Sequence, residues 1–334
     1  MANKMKLFNK FALLALFVVV AMALKPSNKV KIFMIGDSTM ANKDYSNDKQ
    51  ERGWGMMLQN CFSDDVIVDN HAQNGRSSKS FIDEGRWQVV LDRIKPGDYV
   101  FIQFGHNDEK PDAARHTDPS TTFDANLRRF ISETKAKGGH SVLFNSVVRR
   151  SFAVSATAVT DDDLRTNSSS GQVEGDTLVD THGEYINAPR NVAKVMGVPF
   201  VDANHITHDL EQNLGRDGSK ALHMIFAPGE TLSLPKGRQD NTHYNIGGAI
   251  TVANLLADAV AKQVPALAKY VRHYDITVAQ NGSGRYFSLQ QAVDAAPVGR
   301  KTTIMVGPGK WVRPTVPGGK KIKFVLRDGA TWKK

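Results

Sequence analysis

The sequence predicts an α/β fold in which a parallel sheet is covered by helices on both faces. Between residues 30 and 265, short apolar runs rich in Val, Ile and Phe alternate with segments of helical periodicity. After Pro265 the pattern changes, and residues 275–334 become dense in Gly, Pro and Lys. The chain of 334 residues is therefore expected to hold an α/β domain at 30–265, a linker at 266–274 and a second, smaller segment.

The apolar runs and the helical segments give the order of the predicted elements. The predicted strands are Lys31–Ile35, Val66–Asp69, Asp98–Phe104, Ser141–Val147 and Pro199–Asp202. The predicted helices are Trp54–Phe62, Gly85–Ile94, Thr122–Lys137, Gly183–Met196 and Ile246–Lys262. Parallel sheets carry their chemistry in the crevice beyond the carboxyl ends of the strands. Polar residues that follow a strand or open a helix are therefore candidates for the functional site.

Residues 1–23 have the pattern of a secretory signal peptide. Three lysines precede an uninterrupted apolar run from Phe11 to Leu24, and Ala21–Ala23 has the small-x-small form of a cleavage site. The alternative is a membrane anchor, but about 14 apolar residues fall short of the roughly 20 that a spanning helix needs. We expect a secreted or periplasmic protein with no stable membrane insertion after cleavage.

The formal net charge of +9 is unevenly distributed along the chain. Residues 25–274 carry 29 basic and 31 acidic residues, whereas residues 275–334 carry 11 basic and three acidic ones. The body is thus close to neutral, which argues against nucleic acid as its partner. The basic tail suits an acidic polymer, but solubility and composition account for it equally well.

Two further features of the body have structural interpretations. The lone Cys61 lies in an amphipathic helical pattern, which favours a buried thiol and excludes an intramolecular disulfide. The polar stretch from Ser151 to Thr181 interrupts the α/β rhythm and is either a substrate-facing rim or a mobile loop. The sequence has no His-Glu-x-x-His motif, no calcium loop and no Gly-rich phosphate loop. Neither a metal nor a cofactor is expected.

A serine, an aspartate and a histidine together suggest nucleophilic catalysis. Ser38 comes directly after the first predicted strand, and Asp240 and His243 come just before the predicted helix at 246–262. An imidazole can accept the proton of a serine hydroxyl, and a carboxylate can hold the ring nitrogen that faces away from the serine. Asp240 lies three residues, about one helical turn, before His243, which would allow this contact.

The negative oxygen that develops during attack on an ester needs hydrogen-bond donors. The backbone N–H groups of Ser38 and Gly75 and the side-chain amide of Asn107 are candidates for this oxyanion hole. A glycine suits the position because its amide can approach the substrate without a Cβ in the way. Each residue alone also has an ordinary interpretation, since Ser38 could cap a helix, Asn74-Gly75 could form a turn and Asp240 could cap the following helix.

Taken together, these segments resemble the SGNH, or GDSL, hydrolase superfamily, whose four blocks supply Ser, Gly, Asn and His in that order. Ser38, Gly75, Asn107 and the Asp240–His243 pair fill these blocks. The narrower resemblance is to the rhamnogalacturonan acetylesterase branch. It rests on the segments 36–40, 53–55, 74–78, 104–108 and 240–243.

The resemblance implies a flavodoxin-like three-layer fold and a carbohydrate esterase that releases acetate from pectic rhamnogalacturonan through an acyl-enzyme intermediate. Trp54, Arg76 and His106 are candidate substrate contacts, although a core position for Trp54 and a supporting role for His106 beside Asn107 remain open. The expected protein is a monomer whose partner is the acetylated polysaccharide. The alternatives are an esterase for another ester, such as acetylated xylan or a lipid, and a pectin-binding protein without catalytic activity.

The tail resembles the opening of a pectin methylesterase, an enzyme family built as a right-handed parallel β-helix. The resemblance lies in residues 278–284 and 288–295. It covers only the start of such a module, whose catalytic residues come well downstream, so it implies no demethylating activity here. An incomplete solenoid leaves open strand edges and half-covered apolar faces. Residues 275–334 are therefore expected to be poorly ordered or readily proteolysed.

Overall fold

The structure is a computed structural model, and it describes residues 29–153 and 174–333. The predicted signal peptide and the central part of the polar stretch from Ser151 to Thr181 lie outside the described residues. None of the helices within the described ranges is long and apolar enough to cross a membrane.

The strands of the described ranges are numbered in chain order. β1 to β8 are Val30–Gly36, Glu51–Arg52, Val66–Asn70, Tyr99–Gln103, His140–Phe144, Phe152–Ala153, Glu174–Leu178 and Phe200–Val201. β9 to β15 are His223–Phe226, Arg238–Asn245, Ile276–Val278, Lys301–Val306, Gly309–Trp311, Lys321–Leu326 and Ala330–Trp332.

The α-helices are numbered in the same way. α1 to α5 are Trp54–Met57, Ser78–Asp83, Arg86–Leu91, Thr122–Ala136 and Asn187–Met196. α6 to α9 are Ala203–Gly218, Ile246–Gln263, Pro265–Ala268 and Leu289–Ala295. Short 3₁₀ helices span Leu58–Cys61, Gly183–Ile186 and Ser219–Leu222.

The main sheet has the strand order β3-β1-β4-β5-β8, and every pairing in it is parallel. Counted along the chain, this is the 2-1-3-4-5 order of flavodoxin-like folds, in which the strand order reverses beside the first strand. The predicted α/β fold with a parallel sheet is therefore confirmed. The reversal places the carboxyl ends of β1 and β4 beside a crevice, which is where the candidate residues are found.

Alternate residues of β1 face two separate cores, as the two-residue period of a strand requires. Ile32 and Met34 lie on the face of the sheet that α7 covers and belong to the same core as its apolar residues. Phe33 and Ile35 lie on the other face and pack with aromatic residues of α2 to α4. All four side chains are fully buried. The sheet is therefore covered on both faces, and β1 is a rigid support for the turn that follows it.

Several element boundaries differ from the sequence-based expectation. The predicted helix at 54–62 is one α-helical turn, α1, followed by the 3₁₀ helix Leu58–Cys61. Helices α2 and α6 and the small antiparallel sheet β2-β10-β9 were not predicted. Cys61 is buried, and burial raises the pKa of its thiol to about 12, so it is a structural residue.

The tail differs from the expectation of poor order. Strands β11, β12 and β14 pair in parallel, as do β13 and β15. Leu289, Ala292 and Val293 of α9 close a small core against these strands, so the tail buries apolar surface of its own. Polar contacts also join it to the body, including the Arg327 Nε–Asp64 Oδ1 pair at 2.6 Å. The assignment of the tail to a β-helical module stays a prediction.

Candidate active site

Ser38 lies in the tight turn that follows β1. The Asp37 carboxylate accepts hydrogen bonds from the backbone N–H and the hydroxyl of Thr39, at 2.9 and 2.8 Å. Gly36 is required before it, because a Cβ there would lie 2.6 Å from the carbonyl oxygen of Gln103 in β4. The close approach of β1 to β4 and the Asp37 contacts together fix the position of Ser38 at the end of the strand.

The structure brings Ser38, His243 and Asp240 together. The His243 Nε2–Ser38 Oγ distance is 2.8 Å, and the His243 Nδ1–Asp240 Oδ2 distance is 3.0 Å. Asp240 is fully buried, whereas Ser38 is partly exposed to the cleft. The distances allow His243 to take a proton from Ser38 while Asp240 holds the opposite ring nitrogen.

A bulge in β10 produces this arrangement. Residues three apart on a regular strand point to opposite faces. In β10, however, Asp240 pairs with Met224 and Tyr244 pairs with His223, so extra residues loop out between them. The Asp240 carboxylate accepts from the backbone N–H groups of Thr242 and His243, both at 3.0 Å. The expectation that helical spacing joins Asp240 to His243 was wrong, because the bulge does so.

Asp240 is held as a carboxylate by its neighbours. Burial alone would raise its pKa, but the hydrogen bond and charge of His243, together with the charge of Arg238, hold the pKa well below the usual range. The Arg238 guanidinium donates to Asp240 Oδ2 and also pairs with Glu51 Oε2 at 2.7 Å. The carboxylate is therefore available to orient the His243 ring at any neutral or mildly acidic pH.

The Gly75 and Asn107 positions line the same cleft as Ser38. Gly75 has a positive φ of 74°, which a glycine adopts without strain, and the space where its Cβ would lie is open. Asn107 Nδ2 donates to the carbonyl of Arg76 at 3.2 Å, which fixes the orientation of its side-chain amide. Both groups thus lie in the lining of the cleft to which Ser38 is exposed.

Buried polar contacts that the sequence did not reveal hold the Asn107 loop. Asp108 accepts from the backbone N–H of Ser78 at 3.1 Å and from the hydroxyl of Thr117 at 2.8 Å. The neighbouring Glu109 receives hydrogen bonds from Arg149 and from His182 Nδ1. Asp108 thus joins the loop that contains Asn107 to the start of α2, just after the turn that contains Gly75, and Glu109 joins the same loop to Arg149 and His182. Such contacts join segments distant in sequence, so no local motif indicates them.

The three candidate substrate contacts do not line the cleft. Trp54 is fully buried, and its indole N–H donates to Gln103 Oε1 at 2.7 Å. His106 is also buried, with its ring 4.5 Å from that of His182. Arg76 pairs with Glu84 instead, at 3.0 Å. Of the alternatives left open by the sequence, the core position describes Trp54, and the burial of His106 beside Asn107 agrees with a supporting role.

Basic side chains surround Ser38 and His243 in place of those residues. The cleft has a volume of about 340 Å³, and its lining includes four cationic side chains and one carboxylate: Lys43, Lys110, Arg115, Arg238 and Glu51. The sequence could have indicated two of these cations by their closeness to the motifs, since Lys110 follows Asn107 by three residues and Arg238 precedes Asp240 by two. The cleft is therefore positively charged, although the body as a whole is close to neutral.

Glu51 joins two of these cations. Its carboxylate pairs with Lys43 Nζ and with Arg238, each at 2.7 Å, and Lys43 Nζ also donates to Asn74 Oδ1 at 2.6 Å. Burial would raise the pKa of Glu51, but the charges of His243, Lys43 and Arg238 lower it to about 2. Glu51 is thus ionised at neutral pH and connects the floor of the cleft to Asp240 through Arg238.

Within residues 29–153 and 174–333, no three His, Cys, Asp or Glu side chains are grouped so that they could hold a metal ion. The chemistry available in the cleft is that of a serine hydroxyl, an imidazole, a buried carboxylate and amide donors. This set is suited to acyl transfer from an ester.

Comparison with proteins of known sequence supports this interpretation. Residues 34–224 match the family described as GDSL-like Lipase/Acylhydrolase. The chain is 37% identical over 231 residues to rhamnogalacturonan acetylesterase RhgT of Bacillus subtilis (strain 168), covering 69% of this chain and 89% of that protein. It is 28% identical over 231 residues to a rhamnogalacturonan acetylesterase of Emericella nidulans, covering 69% of this chain and 84% of that protein.

A solved structure agrees with the fold. The protein YxiM of Bacillus subtilis superposes with a TM-score of 0.54 at 24% sequence identity, covering 72% of this chain and 58% of that chain. The matched family model spans more than half of the 334 residues and includes the end of β1, the turn with Ser38, and the loops with Gly75 and Asn107. The chain belongs to the GDSL-like lipase/acylhydrolase family of ester hydrolases.

Proposed function

We propose that the protein is a serine esterase that removes acetyl groups from pectic rhamnogalacturonan. Ser38 Oγ attacks the acetyl carbonyl carbon while His243 Nε2 takes the hydroxyl proton, and the sugar oxygen leaves with that proton. A water molecule then attacks the acetyl-serine, with His243 again accepting and returning a proton. Acetate is released and Ser38 is restored, so the cycle needs no cofactor.

Asp240 and the oxyanion donors complete the proposed mechanism. Asp240 orients the His243 ring and stabilises the imidazolium that forms during attack. The backbone N–H groups of Ser38 and Gly75 and the Asn107 amide stabilise the negative oxygen. The observation that supports this proposal most strongly is the continuous Asp240–His243–Ser38 contact at the mouth of a cleft that Gly75 and Asn107 also line.

Replacing Asn107 with alanine is expected to lower kcat for a small acetyl ester by about 10²- to 10³-fold, because one oxyanion donor is lost. The KM should change little, since this donor acts mainly on the transition state. Steady-state kinetics on p-nitrophenyl acetate measure both values. Asn213→Ala, at an exposed position on α6, is the control. A kcat within twofold of wild type for Asn107→Ala would show that Asn107 is not an oxyanion donor.

The positive charge of the cleft supports a substrate that carries carboxylates. Rhamnogalacturonan contains uronic acid, whereas an acetylated xylan backbone is neutral and a lipid would use an apolar rim. Lys110 and Arg115 line the cleft together with Ser38 and His243, and cations attract a polyanion by long-range electrostatics. The two acetylesterases named above act, by their names, on rhamnogalacturonan, which agrees with this choice.

We further propose the organisation that the sequence predicts. Residues 1–23 would direct secretion, residues 30–265 would form the esterase, and residues 275–334 would follow a linker at 266–274. The basic Lys110 and Arg115 belong to the esterase segment, so the proposed recognition of the acidic polymer can occur within that segment.

The substrate proposal is tested by the double variant Lys110→Gln/Arg115→Gln. Acetate release is measured on acetylated rhamnogalacturonan, on acetylated xylan and on p-nitrophenyl acetate. We expect wild type to prefer the pectic polymer. The variant should raise the KM for that polymer about three- to tenfold, the effect of losing two exposed ion pairs, and leave the small ester unchanged.

The double variant Arg128→Gln/Lys135→Gln removes the same charge from exposed positions on α4 and is the matched control. It should leave the KM for the polymer unchanged. Deacetylation of xylan alone would be consistent with the serine mechanism but would show that the substrate is not the pectic polymer. A folded wild-type protein that hydrolyses none of the three substrates would favour the pectin-binding alternative.

A further inference from the structure

One turn of the tail packs against the segment of the body that contributes Lys43 and Glu51 to the lining of the cleft. We call residues 43–52 the floor segment and residues 281–287 the tail turn. The rings of Tyr45 and Phe287 stack with centroids 6.0 Å apart and an interplanar angle of 29°. Gly282 lies so close to Tyr45 that a Cβ at Gly282 would be 2.5 Å from two of its ring carbons. The tail turn therefore fits the floor segment closely.

Arg52 is the polar link in this contact. Its side chain is 1% exposed, and its Nε donates to the carbonyl of Gly282 at 3.0 Å. One terminal nitrogen also donates to the carbonyls of Lys49 and Glu51, at 2.7 and 2.8 Å. Burying a guanidinium is costly unless hydrogen bonds replace its hydration. The carbonyl of Gly282 supplies one of these bonds, so the tail contributes to keeping Arg52 in place.

Arg52 and Glu51 form the two-residue strand β2, which pairs with the end of β10. Because neighbouring residues of a strand point in opposite directions, the strand presents Arg52 to the tail turn and Glu51 to the cleft. Glu51 pairs with Lys43 and with Arg238, and Arg238 donates to Asp240. A continuous set of contacts thus runs from the tail turn through β2 and Arg238 to the Asp240–His243 pair.

We propose that the tail turn is a positioning element of the esterase: by holding Arg52 and Tyr45, it fixes β2 and thereby the Glu51–Arg238 pair that supports Asp240. The tail then has a role in hydrolysis that needs neither the demethylating activity nor a binding site of its own. The kinetic part of this inference rests on the proposed esterase function.

The full-length variants Gly282→Ala and Phe287→Ala test the inference. Gly282 has φ of 79°, so alanine is strained there and its Cβ would displace Tyr45. Phe287→Ala removes the stacked ring and is the milder change, because 41% of Phe287 is already exposed. We expect kcat for p-nitrophenyl acetate to fall about tenfold in Gly282→Ala and about threefold in Phe287→Ala, with KM within twofold, because a small displacement of the catalytic groups slows the chemical step.

The matched control is Arg327→Gln. It breaks a different contact between tail and body, the ion pair with Asp64 at 2.6 Å, and leaves the tail turn intact. Its kcat should stay within twofold of wild type, even if the thermal midpoint falls as much as in Gly282→Ala. General loosening of the tail would instead lower kcat in proportion to stability in all three variants, and that result would overturn the proposal.

Hydrogen–deuterium exchange provides a readout that does not depend on activity. Backbone amides of residues 44–52 should exchange faster in Gly282→Ala than in wild type and in Arg327→Gln, whereas those of β4 should be unchanged. Unaltered exchange across residues 44–52 in Gly282→Ala would contradict the proposal. If wild type hydrolyses no acetyl ester, the proposed function fails, and the exchange result alone decides whether the tail turn fixes the floor segment.

Discussion

Replacing Ser38 with alanine is expected to lower kcat for p-nitrophenyl acetate by about 10⁴-fold or more, because the variant lacks the hydroxyl that forms the acyl-enzyme in the proposed mechanism. Ser38 Oγ lies 2.8 Å from His243 Nε2 and is partly accessible from the cleft. Loss of the hydroxyl removes one hydrogen bond and little packing, so the fold should remain intact. Release of acetate, or of p-nitrophenolate from the small ester, measures the effect, and circular dichroism verifies folding.

Ser132→Ala is the matched control for Ser38→Ala, because Ser132 is exposed on α4 and does not line the cleft. It should retain wild-type kcat on both the small ester and the acetylated polymer. A Ser38→Ala protein with more than a few per cent of the wild-type rate would exclude the acyl-enzyme route. Mass spectrometry of an acetylated Ser38 peptide after rapid acid quenching gives a direct and separate test of the intermediate.

Replacing Asp240 with asparagine is expected to lower kcat by about 10³- to 10⁴-fold, close to the effect of the same change in other serine hydrolases. An asparagine amide can present a donor where the His243 Nδ1–H requires an acceptor. The His243 ring then loses its correct tautomer or its orientation. The amide oxygen of the new asparagine can still accept from the N–H groups of Thr242 and His243, so the bulge of β10 should persist. Asp217→Asn, an exposed change at the end of α6, is the control.

The stability that wild type gains over Asp240→Asn should depend on pH in a defined direction. The folded protein holds the pKa of Asp240 well below its usual value of about 3.9. The ionised carboxylate therefore stabilises the fold above pH 4, and this contribution declines as pH falls below about 4 toward the folded-state pKa. The difference in thermal midpoint between wild type and Asp240→Asn should be largest near neutral pH and should narrow below pH 4. A difference that grows on acidification would show that Asp240 is not held in ionised form.

The parts of the site predicted correctly were those set by local pattern. The apolar run before Ser38 predicts a buried strand, and the parallel sheet brings Ser38, Gly75 and Asn107 to one edge, where the structure has them. The long helices α4 and α7 were also predicted to within one residue of their observed bounds, because their apolar periodicity is sustained.

The parts that were missed depend on tertiary contacts. Strand β10 is rich in polar residues, and only its pairing with β9 and β2 makes it a strand. The bulge that joins Asp240 to His243 follows from this pairing. Trp54 and His106 have the residue types of substrate contacts, but whether they face the cleft or the core is set by distant neighbours. The cations of the cleft come from several separate segments, so no single motif reveals them.

Under the proposed mechanism, the contact between Ser38 and His243 also has a consequence for the time at which a newly made chain could become active. The two residues are 205 positions apart. At a synthesis rate of about 5–20 residues per second, roughly 10 to 40 s separate their emergence from the ribosome. Asp240 and the strand β10 arrive at the end of the same interval. During most of its synthesis the polypeptide carries Ser38 without His243, so on the proposed mechanism a nascent chain could not hydrolyse acetyl esters of the cell that makes it.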